Sequence, residues 1–84
     1  MSAVVNDAAL LVRIEKVFRR VFGPRIAFHA QLERATEPRW TSLKHVEFII
    51  ALESEFGVRF DGADATDMVS IPAVCARIAG AQAR

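Results

Sequence analysis

The sequence has a single cysteine, Cys75, and no tyrosine. One cysteine excludes an internal disulfide and a zinc site built from cysteines. Cys75 falls on the apolar stripe of the last predicted helix, where an unpaired cysteine usually packs as a small hydrophobic side chain. A catalytic thiol would need a nearby base, and the sequence shows none.

Long apolar runs and strong net charge are also missing. The longest apolar run, 46–52, is interrupted by Glu47 and is far shorter than the roughly 20 residues needed to cross a bilayer. Residues 1–7 show no secretory pattern, so we expect a cytoplasmic protein that has no membrane partner. The net charge is +1, with seven Lys/Arg against four Asp/Glu in residues 1–40 and four against six in 41–84. This weak charge asymmetry gives little reason to expect that the protein binds nucleic acid.

With 84 residues, 52% hydrophobic and 25% charged, the chain has the composition of one small globular domain spanning residues 1–84. A domain of this size has little room for a deep cleft, and the sequence shows no paired catalytic groups. We therefore do not expect the protein to be an enzyme.

The first predicted helix covers 7–22, with Asn6 or Asp7 as the cap and Gly23-Pro24 as the end. Its basic residues point to water. Its apolar residues recur at three- and four-residue steps and form one face: Leu10, Leu11, Ile14, Val17, Phe18, Val21 and Phe22.

The second predicted helix covers 42–56, between an N-cap at Thr41 and Gly57 in the left-handed position. A helical wheel places Leu43, Val46, Ile49, Ile50 and Phe56 on the inner side. The outer side carries Lys44, Glu47, Ala51, Ser54 and Glu55. Phe48 falls near the outer side, where it would either contact a partner or be covered by the preceding loop.

The remaining segments predict a long anchored loop over 23–40 with a turn at 29–34, an extended stretch at 58–60 and a short helix at 63–68. A last helix begins after Ser70 and ends near Gly80. The sequence therefore predicts an all-α fold, a small four-helix bundle of three main helices and one short helix, with a long loop after the first.

Ser42 stands where the long loop enters the second helix. Free N–H groups and the partial positive charge of a helix N-terminus favour a phosphate group esterified to this hydroxyl. Taken alone, however, a serine at this position most often only caps its helix.

The stretch 40–60 resembles the acyl carrier protein family. Ser42-Leu43 matches the serine-leucine pair that opens the second helix in that family, and Val46-Glu47 matches the pair that follows. The segment 51–56, Ala-Leu-Glu-Ser-Glu-Phe, matches the end of that helix, and the likeness continues through 61–71. About half of the chain carries it.

This resemblance implies a bundle of the acyl-carrier type, with 4′-phosphopantetheine attached to Ser42 and cargo held as a thioester on the arm. Coenzyme A would be the donor, and the implied partners are a phosphopantetheinyl transferase and acyl-activating, acyltransferase or synthase enzymes. The carrier would be a monomer, in fatty acid or polyketide biosynthesis or another specialised pathway. Family members present the second helix to partners, which here implies contacts from Thr41, Leu43, Lys44, Glu47, Phe48 and Glu55. The acyl chain would be sheltered by Val46, Ile50, Phe60, Met68 and Ile71, each of which is otherwise an ordinary core residue.

The sequence departs from the family at Thr41, where aspartate is usual, and at Lys44, where many members are acidic. Threonine keeps the helix cap and removes the negative charge. The alternative is therefore an adaptor that kept the carrier fold, stays unmodified and binds a partner protein through its second helix.

Other candidate sites have ordinary structural interpretations. His29 and His45 have no metal-ligand neighbours at suitable spacing, which favours structural roles. The carboxylates at 61, 64 and 67 resemble the start of a calcium loop, but the glycine and closing glutamate are misplaced, which favours a solvated acidic edge. The basic side chains of the first helix are more typical of a water-facing surface than of a nucleic-acid site.

Overall fold

The computed structural model of the protein describes residues 8–82, in which four α-helices surround one apolar core. The helices are α1 (Ala8–Phe22), α2 (Ser42–Phe56), α3 (Gly62–Asp67) and α4 (Ile71–Gln82). A 3-10 turn at Arg34–Thr36 interrupts the long loop after α1. These residues form no β-strand, and their only bridge is an isolated antiparallel pair between Glu33 and Ser70. The predicted all-α bundle, with three main helices and a short one, is confirmed.

The ends of the helices follow the local sequence signals closely. Thr41 caps α2, because its Oγ1 accepts a hydrogen bond from the Lys44 N–H at 3.2 Å. Gly57, with φ 65°, ends the same helix in the left-handed conformation and donates its N–H to the Glu53 carbonyl at 2.9 Å. The predicted caps of α1, Asn6 and Asp7, lie outside the described residues.

The predicted helix boundaries in the second half of the chain need only small corrections. The short helix begins at Gly62, one residue earlier than predicted, because Asp61 and Asp64 form a reciprocal capping box. Ser70 caps α4 by accepting from the Ala73 N–H at 3.2 Å. That helix runs past Gly80 to Gln82. Among residues 8–82, no helix is long and apolar enough to cross a membrane.

The core is built around an aromatic cluster that joins α1, the long loop and α2. Phe18 of α1 lies with its ring centroid 5.5 Å from that of Phe48 and 5.8 Å from that of Trp40. Phe22 stacks on Phe18 at 4.3 Å. Such edge-to-face and offset contacts add to the stabilisation from burial itself. The predicted inner face of α1 is confirmed, with Ile14 and Val17 also fully buried.

The predicted inner side of α2 is confirmed for Ile49 and Phe56 and wrong for Leu43, Val46 and Ile50. The buried residues of this helix are His45, Phe48, Ile49, Leu52 and Phe56. Phe48 has no exposed surface, whereas Leu43, Val46 and Ile50 are 68%, 54% and 59% exposed. The helix has apolar residues on two sides, so its periodicity does not select the inner one. The aromatic rings of α1 and Trp40 select the side that carries Phe48.

Candidate functional site

Ser42 lies at the surface as the first residue of α2, directly after the buried Trp40 and the exposed cap Thr41. Trp40 holds the end of the loop in the core, and the cap fixes where the helix begins. The amides of Ser42 and Leu43 have no hydrogen-bond acceptor within residues 8–82, as expected for the first turn of a helix. The hydroxyl is therefore exposed beside free backbone donors, an arrangement that is electrostatically favourable for a negatively charged group.

Arg34 lies against this hydroxyl, and sequence analysis did not single it out. Its Nη2 donates a hydrogen bond to Ser42 Oγ at 3.0 Å, and its Nε donates to the Trp40 carbonyl at 3.0 Å. The two contacts hold the guanidinium across the start of α2. Arg34 is eight residues from Ser42 in an irregular loop, so neither periodicity nor a short motif indicates the pairing.

The backbone around Arg34 is attached to the segment at the start of α4. The Arg34 N–H donates to the Val69 carbonyl at 2.9 Å, and the Ile71 N–H donates to the Leu32 carbonyl at 2.9 Å. These bonds form the Glu33–Ser70 bridge between the long loop and the start of α4. The position of the guanidinium therefore depends on contacts between segments far apart in sequence.

Lys44 turns away from the Ser42 hydroxyl toward α1. Its Nζ donates to the Val21 carbonyl at 3.0 Å and lies 3.4 Å from Glu47 Oε1. A positive charge near the C-terminal carbonyls of a helix is favourable. The Lys44 ammonium group therefore interacts with α1 and with Glu47. The cationic side chain that contacts the Ser42 hydroxyl is that of Arg34.

The outward surface of α2 carries an apolar stripe, formed by Leu43, Val46 and Ile50. These residues are spaced by three and four positions, so they share one face, and the exposed Glu47 lies among them. Thr41 and Leu43 are exposed next to Ser42. Three of the residues expected to contact partners therefore lie together on one accessible surface: Thr41, Leu43 and Glu47.

Two other expected partner contacts lie elsewhere. Phe48 offers no surface to a partner, so the expected partner contact is wrong. The alternative, cover by the preceding loop, is confirmed in part, because Trp40 of the loop packs on Phe48 together with aromatic rings of α1. Glu55 is turned toward α1, where Arg13 and Arg20 each approach its carboxylate to 3.3 Å. Arg13 also lies 4.3 Å above the Phe56 ring. Much of the basic surface of α1 is therefore engaged with α2.

The five residues expected to shelter an acyl chain do not come together. Met68 and Ile71 are fully buried, and Phe60 is half-buried against the core. Val46 and Ile50 lie outside on α2, so their interior placement is wrong. An open surface depression occurs instead on α1, and it is lined by Val12, Glu15, Lys16, Arg19 and Arg20.

His45 has a structural role. Trp40 Nε1, which can only donate, lies 3.0 Å from His45 Nδ1, so Nδ1 accepts. His45 Nε2 then carries the proton and donates to the Ala65 carbonyl at 2.8 Å. The buried imidazole thus joins the long loop, α2 and α3, with both ring nitrogens in use.

The acidic residues around α3 are also structural. Asp61 and Asp64 cap the helix, and Arg77 of α4 forms ion pairs with Asp64 and Asp67. The expected solvated edge is therefore in part an ion-paired contact between helices. Among residues 8–82, no three His, Cys, Asp or Glu side chains are grouped so that they could hold a metal ion.

Cys75 is half-buried on α4, against the core. Desolvation raises the pKa of its thiol above the ordinary value. A raised pKa lowers the thiolate fraction at neutral pH, which makes the thiol a poor nucleophile.

Comparison of the chain with protein-family models, with curated proteins and with solved structures gave no match.

Proposed function

We propose that the chain is a carrier protein whose Ser42 bears a 4′-phosphopantetheine arm and which presents thioester-bound cargo to partner enzymes. The single observation that carries the proposal is the exposed Ser42 hydroxyl at the first turn of α2, within the segment that resembles acyl carrier proteins. The acyl-carrier type of bundle and a cytoplasmic location, where coenzyme A is available, belong to the same proposal.

The residues around Ser42 suit a phosphodiester. The Arg34 guanidinium and the free amides of the first turn supply donors and positive charge to an esterified phosphate. In the attachment step the Ser42 oxygen bonds to the phosphorus of coenzyme A, and adenosine bisphosphate leaves as the pyrophosphate bond breaks. The hydroxyl proton passes to a base on the transferase. The arm supplies the thiol that forms the thioester.

Partner enzymes would read the surface next to Ser42. The exposed side chains of Leu43, Val46 and Ile50 offer an apolar contact, and Glu47 adds a negative charge to it. Apolar stripes that stay exposed on small domains commonly mark protein contacts. Thr41 and Lys44 alter the charge expected from the family resemblance, which favours a dedicated partner over a general one.

Intact-mass measurement after incubation with coenzyme A and a promiscuous phosphopantetheinyl transferase tests the proposal. We expect one arm to be added to the natural chain and none to Ser42→Ala. Ser54→Ala is the matched control, because Ser54 is another exposed serine of α2 and its loss should leave the addition intact. The absence of a mass gain with several transferases would contradict the proposal.

The second candidate is an unmodified adaptor that binds a partner through α2. The apolar stripe favours it, because that surface serves protein binding whether or not Ser42 is esterified. Thr41→Asp separates the two candidates, since it restores the acidic residue expected before the serine. Improved addition of the arm supports a carrier with weakened recognition, and no addition to this variant supports the adaptor.

A further inference from the structure

Arg34 differs from the arginines that stabilise the fold. Arg13, Arg19, Arg20 and Arg77 each have a carboxylate partner. Arg34 has no carboxylate partner within residues 8–82, and the acceptors of its side chain are a carbonyl and the Ser42 hydroxyl. Arg34, a half-buried residue, thus holds its guanidinium in place without a counter-charge from the described part of the chain.

The geometry of Arg34 leaves room for an anion. A guanidinium has five N–H donors, and two are used here, one from Nε and one from Nη2. The remaining donors share its plane, and a planar fork of this kind matches two oxygens of one phosphate group. Because Nη2 already lies 3.0 Å from Ser42 Oγ, a phosphorus bonded to that oxygen would bring its other oxygens close to the guanidinium.

We propose that Arg34 binds the phosphate ester formed on Ser42, fixes the first atoms of the attached group against the long loop, and so couples esterification to the stability of the domain. The inference rests on the proposed function for the identity of the arm, while the binding itself requires only a phosphate ester at this oxygen. Since Arg34 is bonded to Val69 through its backbone, the ester would strengthen the junction between the loop and the start of α4.

The test compares thermal unfolding of the full chain with and without the ester, in the natural sequence and in Arg34→Gln. Two preparations are used: the chain carrying the arm added by a transferase, and a synthetic chain with phosphoserine at position 42. The ester should raise the Tm of the natural chain by about 4 °C or more, the shift expected for a charge-assisted contact in a domain of this size. The gain should fall to the smaller share supplied by the first-turn amides in Arg34→Gln, and it should shrink in 1 M salt.

Two further variants keep the test decisive. Arg39→Gln makes the same charge change on an exposed arginine of the same loop, and it should retain the full gain. Arg34→Lys keeps the charge without the planar fork and should retain part of the gain, even if Arg34→Gln folds poorly. Because each gain is a difference between two forms of one variant, the loss of the Arg34 contacts in the unmodified state cancels.

The outcomes separate the two proposals. If no transferase adds the arm, the carrier function fails while the phosphoserine chain still measures the Arg34 contact. An equal gain in Arg34→Gln and the natural chain would overturn the inference. So would the absence of any gain in the natural chain.

Discussion

Phe48 and Ile50 are two residues apart on α2, yet Phe48 is sealed among three aromatic rings and Ile50 faces water. Both are large and apolar, so residue type does not distinguish them. Because their surroundings differ, the two side chains contribute very differently to the stability of the domain. Ile50, which is exposed, is also available to a partner.

Truncating these two side chains should change the stability by very different amounts. Phe48→Ala removes a buried ring and should lower the free energy of unfolding by about 3 to 5 kcal/mol. Ile50→Ala removes an exposed side chain and should change it by no more than about 0.5 kcal/mol. Urea unfolding of both variants measures the difference, with Phe48→Leu as a milder substitution should the alanine variant not fold. Similar losses at both positions would show that the inner side of α2 is misassigned.

At the scale of a single element, α2 depends on signals at its two ends. Thr41 accepts from the Lys44 amide and Gly57 supplies the left-handed residue, so the helix begins and stops within a defined span. The beginning is also the candidate site, because the cap decides that Ser42 is the first helical residue. Changes at Thr41 can therefore act on stability and, under the proposed function, on recognition by a transferase.

Stability measurements on two Thr41 variants separate the effect of the helix cap from the effect of a negative charge at this position. Thr41→Ala removes the cap and should lower the free energy of unfolding by about 1 kcal/mol. Thr41→Asp keeps an acceptor and adds a favourable charge, so stability should be unchanged or higher by up to about 1 kcal/mol. Thr66→Ala is the control, because Thr66 bonds only to the Gly62 carbonyl inside α3 and alanine suits a helix. Equal losses in Thr41→Ala and Thr66→Ala would argue against the cap.

At the scale of the whole molecule, two connections hold distant segments together. The Glu33–Ser70 bridge joins the long loop to the start of α4 and positions Arg34. His45 joins Trp40 in the loop to Ala65 in α3 through its two ring nitrogens. Because His45 is buried, its partners would be costly to leave unpaired in the core, and this link therefore stabilises one arrangement of the elements.

Removing the His45 connection should weaken the whole domain. His45→Ala leaves the Trp40 N–H and the Ala65 carbonyl without their partner and should cost about 2 to 4 kcal/mol. Trp40→Phe leaves Nδ1 unpaired and also removes part of a buried ring from the aromatic cluster, so it should destabilise the domain as well. His29→Ala is the control, since that histidine is exposed and its substitution should cost under about 0.5 kcal/mol. Thermal unfolding, with hydrogen exchange of the α3 amides, measures all three, and a stable His45→Ala with unchanged exchange would contradict this role.

The sequence by itself determined the features that depend on neighbouring residues. Helix caps and the left-handed glycine act within one turn, so the α2 boundaries, the start of α4 and the position of Ser42 at a helix N-terminus could all be predicted. The inner face of α1 was also predictable, because its large apolar residues, apart from the exposed Val12, lie on one side.

Only the tertiary structure decided which side of α2 is buried, that Arg34 meets Ser42, and that His45 links three elements. Each of these depends on groups far apart in the chain, whose contact is set by packing of the whole core. A helix that is apolar on two sides can bury either one, and the aromatic residues of α1 and the loop determine the choice. An arginine in an irregular loop likewise acquires its partner only when the Glu33–Ser70 bridge fixes the loop against α4.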